Sequence, residues 1–224
     1  MKKESGKPRV KAFNKAFSYD GGFYTYTSKI FDMLLLNLLW LIGCIPVITA
    51  GASFSALYFV TVHSVRGDEK GVFKEFWRVW KRDFKDSLPV WLIALAMYFV
   101  LFLNLGILRE QEPKLIWLFF IVFFVLVLAF LTVFCCYFFP ALSTFQMPKK
   151  WLLRFSFYAE IKHLPLSLIL GAMFAGMYFA MMAVPWLIVV FPSVFALFSS
   201  FIIEPVFAKH KDENQDENQI DNNS

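Results

Sequence analysis

Apolar positions along this chain fall into long blocks separated by short, strongly basic segments. The first block covers 30–62 and holds a single formal charge, Asp32. Four more follow at 88–108, 115–139, 164–183 and 186–207, the last two parted only by Val184-Pro185. A bilayer crossing needs about 20 apolar residues, which each later block supplies. Backbone polar groups in lipid must be satisfied within the segment, and the alternation of a barrel strand is absent, so the blocks predict helices. The expected fold class is all-α: a polytopic membrane helical bundle with a broken N-terminal helical hairpin and amphipathic helices at the cytoplasmic interface.

The break lies in CIPVITAGAS, where Pro46 removes a backbone donor and Gly51 stands among Ala50, Ala52 and Ser53. The basic residues say what it is for. Segments 1–29 and 63–87 carry seven Lys/Arg each, 149–163 four and the C-terminal tail two, whereas the link between 108 and 115 carries only Arg109 and Lys114. If residues 30–65 go in and return, 20 of the 22 cationic side chains lie on one face; if they cross once, the split is 13 to 9. Cytoplasmic segments hold the excess of Lys/Arg. The first arrangement is therefore expected, with both termini cytoplasmic, a descending arm to about Ile45 and a returning arm from Phe54. An arm of about 16 residues reaches roughly 24 Å at 1.5 Å per residue, which leaves open whether the hairpin spans or re-enters.

Residues 72–86, VFKEFWRVWKRDFKD, place Phe73, Phe76, Trp77, Trp80 and Phe84 at helical spacing, with Lys74, Arg78, Lys81, Arg82 and Lys85 on the other side. This pattern predicts a helix lying in the membrane interface, its basic side toward anionic headgroups of the lipid bilayer. The stripe is too apolar for a nucleic-acid surface. KKWLLRFSFYAEIKHLP at 149–165 repeats the plan more weakly, with Trp151, Leu152, Phe155 and Tyr158 on one face. Both segments end in Leu-Pro (88–89 and 164–165), a helix-start signal. The order can reflect a duplication over 72–140 and 149–207, or only the usual look of a loop before a span.

Composition agrees. Hydrophobic residues make up 58% of the 224, charged residues 17%, and the mean hydropathy is +0.57; a soluble domain carries about 25% charged. The net charge of +5 follows from the flanking cations. Residues 1–29 form a basic, aromatic segment expected to be retained, 30–207 the membrane domain, and 208–224, with DENQ repeated, a polar tail expected to be disordered.

Candidate chemistry is sparse. Cys44, Cys135 and Cys136 lack the spacing of a zinc site, and the histidines and serines form no catalytic motif. No catalytic, cofactor-binding or metal-binding residue is assigned, and no cofactor is expected. Asp32 and Glu204 lie near span ends, where pairing with a neighbouring cation is the ordinary role. Asn37 and Asn104 are the deeper polar groups, suited to interhelical hydrogen bonds, and Gly171, Ala172, Ala175, Gly176 and Ala180 give one span a close-packing face.

At LNLLWLIGCIPVITAGASFSALY the chain resembles the YesL-like family of bacterial membrane proteins. Asn37, Leu39-Trp40, Pro46-Val47, Thr49, Gly51-Ala52-Ser53 and Ala56-Leu57-Tyr58 carry the likeness, and FKEFWRVWKRDFKDS continues it. The resemblance covers about 20–207 and implies a multi-pass domain of the bacterial cell membrane with no established activity. It further implies a setting near carbohydrate ABC transporters, sugar-responsive sensor kinases and glycan-degrading enzymes. The expected role is non-enzymatic: accessory or regulatory to carbohydrate uptake or sensing through helix–helix contact with a transporter or sensor. A small sugar permease is the alternative, and an envelope-modifying enzyme using Glu204 a weaker third.

Overall fold

A computed structural model describes residues 22–66, 71–109, 115–145 and 147–222. The basic N-terminal residues before Gly22 lie outside that range. The described residues form helices and no strands: α1 (Gly22–Cys44), α2 (Ala50–Val60), α3 (Val72–Arg109), α4 (Leu115–Thr144), α5 (Lys149–Lys162), α6 (Leu164–Ala183) and α7 (Phe191–Asn222). Short 3₁₀ turns at Val47–Thr49 and Pro185–Val189 precede α2 and α7, and a π-turn over Thr61–Arg66 continues α2. Four helical stretches are long and apolar enough to cross a membrane: Thr27–Cys44, Val72–Leu108, Ile116–Thr144 and Leu164–Ala183. Val47–His63 and Phe191–Phe207 are shorter apolar helices.

The first apolar block doubles back. A Cβ on Gly43 would collide with Ser53 Oγ, and Trp40 packs edge-on against Phe54 at 5.4 Å. The turn is tied by Thr49, whose hydroxyl lies 2.6 Å from the Gly43 carbonyl and 2.8 Å from that of Pro46. The Gly43 carbonyl is one that the end of α1 leaves open, and the Pro46 carbonyl also accepts the Thr49 N–H at 2.8 Å. The returning helix begins at Ala50, four residues before the sequence reading puts it.

Two further boundaries differ from the sequence reading. The segments expected as a separate interfacial helix (72–86) and span (88–108) are one 38-residue helix with Pro89 inside it. Proline gives nothing to the carbonyl four residues back, that of Lys85. Lys149 Nζ donates to that carbonyl at 3.3 Å while pairing with Asp86 at 2.9 Å. At the second Leu-Pro, by contrast, α5 ends at Lys162 and α6 starts afresh after His163. The two halves of the proposed duplication thus differ at their junctions. The tail expected to be disordered continues α7 to Asn222; beyond Pro205 it contains no proline or glycine to stop a helix, and Glu and Gln are good helix formers.

Packing concentrates at the basic end. One cluster joins Leu36, Leu39 and Trp40 of α1, Ala56, Leu57 and Val60 of α2, Val72, Phe76 and Val79 of α3, and Ala196 of α7. A second joins the end of α4 (Tyr137, Phe138, Phe139) to Leu152 and Phe155, Leu170, Ile203 and Phe207. Phe54 bridges them, with Trp91 at 6.2 Å and Phe139 at 6.3 Å. Away from this end large apolar side chains stand exposed: Phe99 66%, Phe119 68%, Phe179 70%. Such bands belong against lipid or another apolar helix.

Candidate functional site

The aromatic stripe of the first half of α3 divides: Phe76 is buried against the hairpin, whereas Phe73 stays 57% exposed. The buried face of the first half of α3 is Val72, Phe76, Val79, Asp83 and Ser87, an i, i+4, i+7, i+11, i+15 pattern. Trp80 turns inward too, its Nε1 donating to Ser53 Oγ at 3.2 Å. What remains outside is an open groove of about 450 Å³ lined by Phe73, Lys74, Trp77, Arg78 and Lys81. Its cations fall at i, i+4 and i+7 along one edge; Arg78 is also paired with Glu75.

Polar side chains inside the bundle join helices to one another. Asn37 is wholly buried; its Nδ2 donates to Val190 O (3.1 Å) and Ser193 Oγ (2.9 Å), and its Oδ1 accepts from Ser193 N–H at 2.8 Å. All three of these bonds cross from α1 to the start of α7. Ser55 donates to buried Asp83, which Arg82 Nε also meets at 2.6 Å. Arg82 reaches on to the Ser143 carbonyl at 2.8 Å and lies over the Phe59 ring at 5.3 Å. Tyr98 and Thr132 join α3 to α4 at 3.1 Å, and Trp91 Nε1 donates to Val47 O at 2.7 Å, fixing the hairpin tip.

A further polar group lies where α4, α5 and α6 meet. Glu160 is 3% exposed, and its Oε2 is buried without a hydrogen-bond partner. Its main-chain carbonyl accepts from Ser167 Oγ at 3.0 Å, and that hydroxyl is 3.3 Å from Tyr137 Oη. Burial pushes the Glu160 carboxyl up to about 8, because a charge out of water is disfavoured when nothing opposite faces it.

The residues singled out from sequence divide. Asn37 makes the interhelical bonds expected of it, whereas Asn104 only donates to Val100 O within its own helix, at 2.7 Å. Gly171 packs against Val133, but Ala172, Ala175 and Gly176 are exposed, and a Cβ on Gly176 would meet nothing within 4 Å. Of the apolar face expected on α5, Leu152 and Phe155 are buried against the bundle and Tyr158 is exposed. Asp32 and Glu204 are half-buried, and the cysteines are free thiols. Among the described residues no group of three or more His, Cys, Asp or Glu could hold a metal ion.

Asp83 and Glu160 escaped the sequence reading. Each is in phase with its helix's inner face: Asp83 with Phe76 and Val79, Glu160 with Leu152, Phe155, Ser156 and Ala159. A carboxylate at an i+3 or i+4 step from small and aliphatic positions was the available signal.

Residues 33–105 match the model of a family described as "Protein of unknown function, DUF624". The match takes in the hairpin and most of α3. No curated protein and no solved structure matches the chain.

Proposed function

We propose that this protein is a non-enzymatic, multi-pass protein of the bacterial cell membrane that acts by helix–helix contact, accessory or regulatory to carbohydrate uptake or sensing. One observation carries the contact reading: α6 presents Ala172, Gly176 and Ala180 at four-residue steps, and its own bundle leaves Ala172 and Gly176 exposed. Small residues at that spacing let a second helix approach closely in lipid. The internal polar groups support the same reading, since Asn37, Asp83, Tyr98 and Ser167 all bind neighbouring helices. The identity of the partner, a carbohydrate ABC transporter or a sensor kinase, rests on the resemblance to the YesL-like family, for which the match over 33–105 is support at the level of an uncharacterised family.

The cation distribution supports cytoplasmic termini. The groove along Phe73–Lys81 suits anionic headgroups, each cation contributing on the order of 1 kcal/mol near such a surface. The reading is tested by purifying tagged protein in mild detergent from native membranes. It expects transporter or kinase subunits to co-purify with the wild type and to be lost from Ala172→Leu and Gly176→Leu. Recovery of neither class, or recovery indifferent to both leucines, contradicts it. A small permease is the second reading, favoured by the tied break between α1 and α2, which resembles the discontinuous helices of transporters. It expects sugar uptake by reconstituted vesicles.

A further inference from the structure

Glu160, like Trp40, has a buried polar atom that finds no hydrogen-bond partner, and unlike Trp40 it can ionise. Its side chain is 97% buried by the 3% that remains exposed, and Oε2 accepts no hydrogen bond. On the facing α4 lie Tyr137 and the thiols of Cys135 and Cys136, within electrostatic reach of its carboxyl. From α6 come Ser167, whose hydroxyl lies on the Glu160 main-chain carbonyl, and His163 at the helix start. From α7 the second cluster receives Ile203, Val206 and Phe207, with Glu204 next to them in sequence. On α5 itself, Ser156 is committed to Leu152 O at 2.9 Å, and Arg154 and Lys162 are on the exposed side. Burial is the cause of the Glu160 shift; no cation contributes to it. An ionised carboxylate held out of water with no cation beside it is disfavoured relative to its protonated form.

We propose that Glu160 is a proton-binding site: its carboxyl holds a proton while α5 is seated on α4 and α6, and releases it to water when α5 lifts from the bundle. Lifting breaks the carboxyl O–H bond, passes the proton to solvent, and leaves a carboxylate that water now solvates. The helix that moves carries Phe157 and Tyr158 on its outer side, both about half exposed. Its seating would thereby report cytoplasmic pH to whatever those rings touch.

The sign follows from linkage. The seated carboxyl titrates near 8 and the solvated one near 4.5, so the seated form binds the extra proton between those values. Seating is strongest below 4.5, weakens about tenfold per pH unit through the window, and stops changing above 8.

The test uses full-length protein in nanodiscs, following hydrogen–deuterium exchange of peptides from 149–162 between pH 5.5 and 9, corrected for intrinsic exchange. The wild type should lose about tenfold protection per unit up to about pH 8. Glu160→Gln, which keeps the neutral shape, should hold α5 protected with no such slope; Asp83→Asn should keep the slope. An infrared titration of the wild type needs no variant and covers the case in which Glu160→Gln does not fold. It should show a protonated carboxyl at pH 7 that disappears with a midpoint near 8. Flat wild-type protection, a slope that survives in Glu160→Gln, or no protonated carboxyl at pH 7 overturns the proposal.

Discussion

Gly51→Ala puts one methyl group where the hairpin tip, α3 and α4 meet. Its Cβ would lie 2.9 Å from Trp91 Cβ and 3.0 Å from Phe139 Cε1. Carbon atoms in ordinary contact stand about 3.5–4.0 Å apart, so each neighbour must retreat by more than half an ångström. Trp91 cannot do so freely. Its Cβ is fixed to the α3 backbone, and its indole N–H is bonded to Val47 O at 2.7 Å. Overpacking costs about 1–3 kcal/mol, and losing the indole bond adds about 0.5–1.5. The better helix propensity of alanine returns at most about 1 kcal/mol. The expected net loss is about 1–3 kcal/mol, read as a lower unfolding temperature or denaturant midpoint in one fixed detergent. Gly106→Ala and Gly176→Ala are the controls, since a Cβ at either would meet nothing within 4 Å. Both should be neutral or gain up to about 1 kcal/mol. A Gly51→Ala protein as stable as wild type, or controls that fall with it, would refute the reasoning.

Other substitutions probe the same contacts. Asn37→Ala removes three bonds between α1 and α7; at about 0.6 kcal/mol or more per interhelical bond in a membrane protein it should cost about 2 kcal/mol in the same unfolding assay. Ser55→Ala leaves Asp83 buried with only Arg82 and should cost about 1–3 kcal/mol, with a double-mutant cycle against Asp83→Asn returning a coupling above about 0.5. Lys149→Ala breaks a pair whose side chains are both nearly half exposed, so its thermal shift should correspond to less than about 1 kcal/mol.

The parts of the fold legible in sequence are those fixed by solvent and by charge. Long apolar blocks require helices in lipid, and a first block that turns back is the arrangement that gathers 20 of the 22 cations on one face. Long-range contacts were not legible. Pro89 reads as a helix start because the group that answers its freed carbonyl, Lys149, is 64 residues beyond Lys85. The buried face of α3 was misread for a different reason. Large aromatics drew the stripe through Phe73, Phe76, Trp77, Trp80 and Phe84; Phe76 is buried, but the rest of the buried face is the smaller Val72, Val79, Asp83 and Ser87. That same phase shift hid Asp83 and, on α5, Glu160. The small face of α6 was legible as a face, but which part its own bundle covers depends on Val133 meeting Gly171 and on nothing local.

The proposed cytoplasmic placement of both ends of the doubled-back first block is tested most directly by impermeant thiol labelling of intact cells. Cys44, Cys135 and Cys136 are first replaced by alanine, and single cysteines are placed at Lys29, Lys74 and Arg109. The account predicts labelling of Arg109→Cys on intact cells, and of Lys29→Cys and Lys74→Cys only after permeabilisation. Labelling of Lys29→Cys on intact cells as readily as Arg109→Cys would contradict it.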